Sequence, residues 1–186
     1  MYSKRSYLCI LVIAMVVFLL LCPGVYAKEA KTKAPPNAKT TIQRFIGTWQ
    51  LVTSEFRTSD GKVAFPLGEK AVGILMCDSG GRFAAQLMRL DRPKFASGDM
   101  RGGTPEETKT AAEGYVAYFG TYEVDDKKAT VVLHVEASLF PNWLGQDQLR
   151  FFEFSADLLT LKTPPMLSGG QEITGILVWK RLNNKH

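Results

Sequence analysis

Short segments of alternating apolar and polar residues recur along this chain, and most neighbouring pairs are joined by only a few residues of turn chemistry. "AVGILMC" (71–77) and "RFAAQLMRL" (82–90) flank "DSGG", a turn rich in the glycine that tight hairpins need. "YFGTYEV" (118–124) and "ATVVLHVEAS" (129–138) flank "DDKK", while "DQLRFFEFS" (147–155) and "LLTLKT" (158–163) follow one another closely. "TWQLVTSEFR" (48–57) leads into the turn "SDG", and "EITGILVWKRL" (172–182) ends the series. The pattern predicts a mainly β domain of about eight to ten antiparallel strands, mostly in consecutive hairpins. Such a sheet has to deal with its edges, and closing into an up-and-down barrel removes them altogether. A barrel of about eight strands leaves an interior that side chains fill or that holds one small ligand. A two-sheet sandwich is the rival that pattern alone leaves open.

One short helix breaks the meander. In "TPEETKTAAEGYVAY" (104–118), Thr104 is placed as N-cap, Pro105 at the first helical position and Glu107 to complete a capping box. The acidic first turn suits the helix dipole. "SGDMRGG" (97–103) and "TPPMLSGGQ" (163–171) are the longest irregular segments.

The N-terminus reads differently. Lys4 and Arg5 precede the apolar run "YLCILVIAMVVFLLL", which is short for a membrane span, and "VYA" ends at Ala27 with small residues where signal peptidase reads. Residues 1–27 are expected to be a signal peptide, which places the protein in the periplasm or outside the cell, or at the membrane as an anchored form if the segment is retained. Residues 28–41, Pro-, Ala- and Lys-rich, read as a flexible linker, 42–182 as the barrel and 183–186 as a tail. Removing 1–27 takes away two cations and no anion, lowering the formal net charge from +5 to +3. Because the lysines of "KEAKTKAPPNAKT" sit in that linker and not in a patch with aromatics, nucleic acid is not an expected partner. Cys9 and Cys22 leave with the signal, so Cys77 is the one thiol, no internal disulfide is expected, and its apolar run predicts a buried, inert group.

"GTWQLVTSE" (47–55) puts Gly47-x-Trp49 at the start of the first strand, and "LVWKRL" (177–182) puts Arg181 near the end of the last. This pairing resembles the lipocalin signature, in which the tryptophan closes one barrel end and a basic residue packs over its face. "SGGRFAAQLMRLDRP" (79–93), "AAEGYVAYFGTYEVD" (111–125), "HVEASLFPNWLGQDQLRFFEF" (134–154) and "LTLKTPP" (159–165) extend the likeness: residues 42–182 resemble the lipocalin-like domain family of small one-domain bacterial and fungal proteins. The resemblance implies a barrel with a cavity, no shared substrate, a barrel-closure role for Gly47, Trp49 and Arg181, and a hint of small hydrophobic products as cargo.

The polar residues of 134–151 are the candidate site. Alternation puts His134, Glu136 and Ser138 on one strand face and Gln148, Arg150, Phe152 and Phe154 on one face of the next. Pairing Ser138 with Gln148 would set Glu136 opposite Arg150 and His134 opposite Phe152. Facing inward, His134, Glu136 and Arg150 would form the polar end of an apolar pocket, with Arg150 suited to an anionic group. Two phenylalanines on the Arg150 face, and the matching family positions of His134 and Arg150, favour that reading. Facing outward, Glu136 and Arg150 would be a solvated pair of little energetic weight. Further ligand candidates are Phe152, Gln86, Met88, Tyr118, Tyr122 and, as a lid, Trp143. The expected partner is a small hydrophobic or amphipathic molecule. Two alternatives stand beside it: an isomerase or cyclase using His134 as acid/base, and an envelope interaction module with a filled barrel. The chain has two histidines and no paired-cysteine or spaced-histidine pattern, so no metal is expected. Phosphate-loop, dinucleotide and nucleophile-elbow motifs are missing too, so no cofactor is expected.

Overall fold

The computed structural model describes residues 40–168 and 170–182. The expected signal peptide, the expected linker up to residue 39 and the expected tail lie outside the described residues. The strands are β1 (Gly47–Thr58), β2 (Val63–Ala64), β3 (Val72–Cys77), β4 (Arg82–Met88), β5 (Tyr115–Asp125), β6 (Thr130–Ser138), β7 (Asp147–Ser155), β8 (Leu158–Lys162), β9 (Met166–Ser168) and β10 (Gln171–Arg181). They form one sheet in the order β2-β1-β3-β4-β5-β6-β7-β8-β10-β9, and the additional antiparallel pairing of β1 with β10 closes it. Eight strands therefore make a closed barrel, while the short β2 and β9 are appended to β1 and β10. The barrel prevails over the sandwich because every long strand finds a partner on both sides.

Alternation decides what fills the interior. Leu75 and Cys77 of β3, Phe83, Ala85 and Leu87 of β4, and Val131, Leu133 and Val135 of β6 are all buried, with the residues between them on each strand less so. Two irregularities reset the alternation. In β1 the register shifts between Leu51 and Thr53, so the exposed Val52 is the extra residue and Ser54, not Thr53, comes to the inside. In β6 it shifts opposite Phe119 and Gly120, so that Glu136 is the extra residue of a bulge. Gly120 makes that bulge feasible: a Cβ there would stand 1.9 Å from the His134 carbonyl oxygen.

Among the described residues two α-helices accompany the barrel. Helix α2 (Pro105–Glu113) starts as the sequence predicts, with Thr104 Oγ1 accepting from Glu107 N at 3.3 Å and Glu107 Oε2 accepting from Thr104 N at 2.8 Å. A second helix, α1 (Thr41–Phe45), has no counterpart among the sequence expectations. Gln43 Oε1 accepts from Thr40 N at 3.0 Å, so folded contacts reach back to Thr40, two residues before position 42.

Helix α1 seals one end. Phe45 is 2% exposed and packs edge-on against Phe152 and Phe154, with ring centroids 5.1 and 5.0 Å away. Trp49 Nε1 donates to the Phe45 carbonyl at 2.9 Å. The Arg181 guanidinium lies 4.0 Å over the Trp49 ring and donates to the Ile46 carbonyl at 2.7 Å and to that of Arg44. Burial, with the like charge of Arg44 beside it, lowers the Arg181 pKa from its ordinary value. Gly47 has φ of +134°, and a Cβ there would meet Arg181 Nη1 at 2.8 Å, so the guanidinium reaches its place only past a glycine. Cys77 is buried and free, and burial, with Asp78 adjacent, pushes its thiol up to about 12.

Candidate functional site

The opposite end of the barrel opens onto a cavity of about 600 Å³, a size in the usual range for small-molecule sites. Its wall is built from inward residues on the mouth-side halves of five strands. These are Ser54 and Phe56 from β1, Leu87 from β4, Val116 and Tyr118 from β5, Gln148 and Arg150 from β7, and Gly175 and Leu177 from β10. Connections supply the rim: Pro66 and Leu67 before β3, Trp143 between β6 and β7, and Thr163, Pro164 and Pro165 after β8. Thr163 is itself fixed, its Oγ1 accepting from Gly175 N at 2.9 Å. The lining is mostly apolar with a few placed polar groups.

Tyr118, Arg150 and Leu177 also line a second, much smaller void of about 20 Å³ lower in the barrel, beside Cys77, Tyr122 and Phe45. These three residues therefore form the floor of the mouth cavity and the ceiling of the sealed end. Tyr118 is wedged between Phe83 and Trp143, edge-on to both at 5.5 and 5.3 Å, which ties the floor to the rim. Burial pushes the Tyr118 hydroxyl up, an effect the adjacent Arg150 guanidinium partly offsets.

Arg150 is the unusual member. It is 8% exposed, and its guanidinium donates to the Leu149 carbonyl at 2.7 Å and to Gln148 Oε1 at 2.9 Å. Among the described residues no carboxylate lies within ion-pair distance of it. A buried cation ordinarily has an anionic partner, because the desolvation cost is several kcal/mol per ion.

The expected triad does not assemble. The β6–β7 register pairs Val131 with Arg150 and His134 with Asp147, an odd number of residues away from the pairing of Ser138 with Gln148. An odd slip exchanges the faces of one strand relative to the other. Arg150 therefore points inward with Val131 and Leu133, while His134 and Glu136 point out. Glu136 pairs with Arg82 at 2.7 Å on the outer surface. His134 Nδ1 stands 2.6 Å from Asp147 Oδ1, and its Nε2 stands 3.9 Å from Glu123. An acid/base role for His134 inside the barrel is thereby corrected: the side chain is on the wrong side of the sheet. The filled-barrel reading meets the mouth cavity and is corrected as well.

Other candidates divide. Tyr118 and Trp143 line the cavity. Tyr122 and Phe152 point inward but belong to the sealed end, Tyr122 donating to the Asp78 carbonyl at 3.1 Å and Phe152 packing on Phe45. Gln86 and Met88 face outward, because Phe83, Ala85 and Leu87 take the inside of β4. Gln86 accepts from the Tyr115 hydroxyl at 3.1 Å, and Met88 touches Arg92. Leu87, between them, is the cavity residue. Gln148 shared the Arg150 face by alternation and was there to be read. Ser54 and Phe56 were hidden behind the β1 irregularity. Among the described residues no cluster of three metal-ligating side chains occurs.

A closed antiparallel barrel, plugged at one end by a tryptophan under a guanidinium and open at the other onto a mostly apolar cavity, is a lipocalin-type binding barrel. Residues 46–182 match the lipocalin-like domain family, and the chain belongs to that family. It is 35% identical over 106 residues to the 4'-hydroxy-3'-methoxypropiophenone carrier protein of Aspergillus oryzae, an alignment covering 53% of this chain and 96% of that relative. Family and relative together support a ligand-binding barrel.

Proposed function

We propose that this protein is an exported carrier that holds one small, mostly apolar, aromatic molecule in the mouth of its barrel. The observation that carries the reading is the cavity of about 600 Å³ with Arg150 in its floor. Apolar walls supply affinity by burial, and a single polar focus at the bottom fixes which end of the ligand goes in first. Tyr118 and Trp143 offer ring faces and edges at the depth an aromatic ligand would occupy. The relative's name specifies an aryl ketone, and a molecule of that size and polarity suits a cavity with these walls and one strong hydrogen-bond donor. Export rests on the charged, apolar and small-residue pattern of 1–27.

The test is native mass spectrometry of freshly purified protein, followed by calorimetric titration with aryl ketones and their alkyl counterparts. A co-purifying small molecule, or saturable binding that weakens in Trp143→Ala, supports the carrier. Failure of every aromatic probe to bind at millimolar concentration would remove it. For export, N-terminal sequencing of protein from the producing cells should begin at Lys28, and an intact Met1 in the cytoplasm would reject that part.

A further inference from the structure

We infer that the ligand is held as an anion: the cavity suits a small aromatic molecule bearing one ionised oxygen acid, a carboxylate or an acidic phenol, whose charge pairs with Arg150. The inference rests on the carrier reading and adds the charge state and chemical class of the cargo.

The argument starts from charge balance inside the barrel. The groups facing Arg150 come from several elements, and none supplies a negative charge at depth. From β5, Tyr118 holds its proton because burial raises its pKa. From β3, Cys77 does the same, its thiol pushed up to about 12. From β7 itself, Gln148 is neutral and already spends its oxygen on the guanidinium. Glu113 and Asp147 touch the cavity only at its exposed rim, and Asp147 is engaged by His134 on the outside. Glu136, the carboxylate that sequence alternation offered as a partner, is held by Arg82 across the wall. At the sealed end Arg44 and Arg181 add further positive charge. The interior of the barrel therefore carries an uncompensated cation at its centre.

The known bonds of Arg150 do not change this. Both go to groups on its own strand, Leu149 and Gln148, and, like its contact with the protonated Tyr118 hydroxyl, they satisfy donors without supplying charge. A guanidinium has five N–H donors in a planar fork, so donors remain for a ligand after these two bonds. That fork matches a carboxylate in bidentate geometry and binds a phenolate oxygen through one charge-assisted bond. In a site shielded from water such a bond is stronger than at a surface, and it removes the unpaired-cation cost at the same time. A neutral ketone or amide would collect one ordinary hydrogen bond and leave the charge unanswered. Discrimination between an anion and its neutral isostere should accordingly reach roughly ten- to a hundredfold.

Two measurements test this. The first is calorimetric titration at pH 7 with 4-methoxybenzoate and its shape-matched neutral partner, 4-methoxybenzamide. The benzoate should bind roughly ten- to a hundredfold more tightly to the wild-type protein, and the ratio should collapse toward one in Arg150→Met, with Arg150→Lys between. The second needs no variant. Bound 4-hydroxyacetophenone should show its phenolate absorption band at a lower pH than the free compound, because the cation stabilises the ionised form. That shift decides the matter if Arg150→Met does not fold. A benzoate preference without the phenolate shift assigns the class to carboxylates, and the reverse to acidic phenols. Equal affinity for benzoate and benzamide together with an unshifted phenol overturns the anion inference while leaving the carrier reading standing. Binding of none of these probes, nor of any neutral aryl ketone, rejects the carrier reading itself and the inference with it.

Discussion

Phe45 offers the sharpest test of the division between a sealed end and a binding end. Helix α1 has five residues, far below the length at which a helix holds together alone, so its presence depends on what it docks against. The docking consists of the Phe45 ring, 2% exposed and in contact with Phe152, Phe154 and Tyr122 at centroid distances of 5.1, 5.0 and 6.0 Å. The Trp49 indole and Arg181 guanidinium, donating to the Phe45 and Ile46 carbonyls, complete it. Truncating a buried phenylalanine typically costs about 3–5 kcal/mol, the sum of lost transfer energy and the cavity left behind. The aromatic pairs push this site toward the upper part of that range. For a domain near 150 residues each kcal/mol lowers Tm by roughly 2–4 °C, so Phe45→Ala should lower it by about 6–20 °C. The assay is thermal unfolding followed by circular dichroism, paired with ligand titration well below Tm. Because Tyr118, Arg150 and Leu177 form a floor between the two ends, ligand affinity should change by less than about threefold. A loss of under 1 kcal/mol combined with a tenfold drop in affinity would refute the reasoning, since Phe45 would then be a wall of the binding site and not its distant plug.

Three further outcomes are expected. Gly120→Ala places a Cβ 1.9 Å from the His134 carbonyl and 2.9 Å from Glu136 N, so the β6 bulge must move; thermal unfolding should show a loss of about 1–3 kcal/mol, and an unchanged Tm would mean the bulge is not fixed by this contact. His134→Ala should leave ligand affinity within about twofold by calorimetry, because the side chain lies outside the barrel with Asp147 and Glu123; a tenfold loss would restore it to the site. Stability should decline at alkaline pH. Cys77 and Tyr122 are both pushed up to about 12 by burial, from ordinary values of 9.0 and 10.0. Between those values and about 12 the folded chain retains protons that the unfolded chain has lost, so unfolding is increasingly favoured as pH rises through that window. Urea midpoints should be steady below about pH 9 and fall toward pH 12, and a flat or rising profile would contradict the assignment.

The contrast between what alternation reveals and what it misleads about comes down to counting residues across irregularities. Hairpins with short turns, such as "DSGG" between β3 and β4, leave no freedom of register, and there the inside positions Phe83, Ala85 and Leu87 follow directly from apolar spacing. Gly47, Trp49 and Arg181 are legible for a related reason: the ring, the guanidinium and the glycine that lets them meet form one steric unit, and a unit of that kind leaves its mark on the sequence. The β6–β7 connection behaves otherwise. Its turn at Pro141–Trp143 is followed by Gly145 and Gln146, whose backbones bond to Val135 on β6 before β7 begins. The first paired residue of β7, Asp147, consequently meets His134, whereas the pairing of Ser138 with Gln148 would have set it opposite Leu139. An odd offset, here of five residues, exchanges the faces, and the consequence is chemical: Glu136 and Arg150, which the pairing of Ser138 with Gln148 would set side by side, end on opposite sides of the barrel wall. Had they met inside, the guanidinium would have been neutralised and the cavity would have had no preference for charge. Glu136 stays on the outer face with His134, where Arg82 takes it, so the odd β6–β7 register that defeats a reading of the sequence is also what leaves Arg150 with its charge available to a ligand.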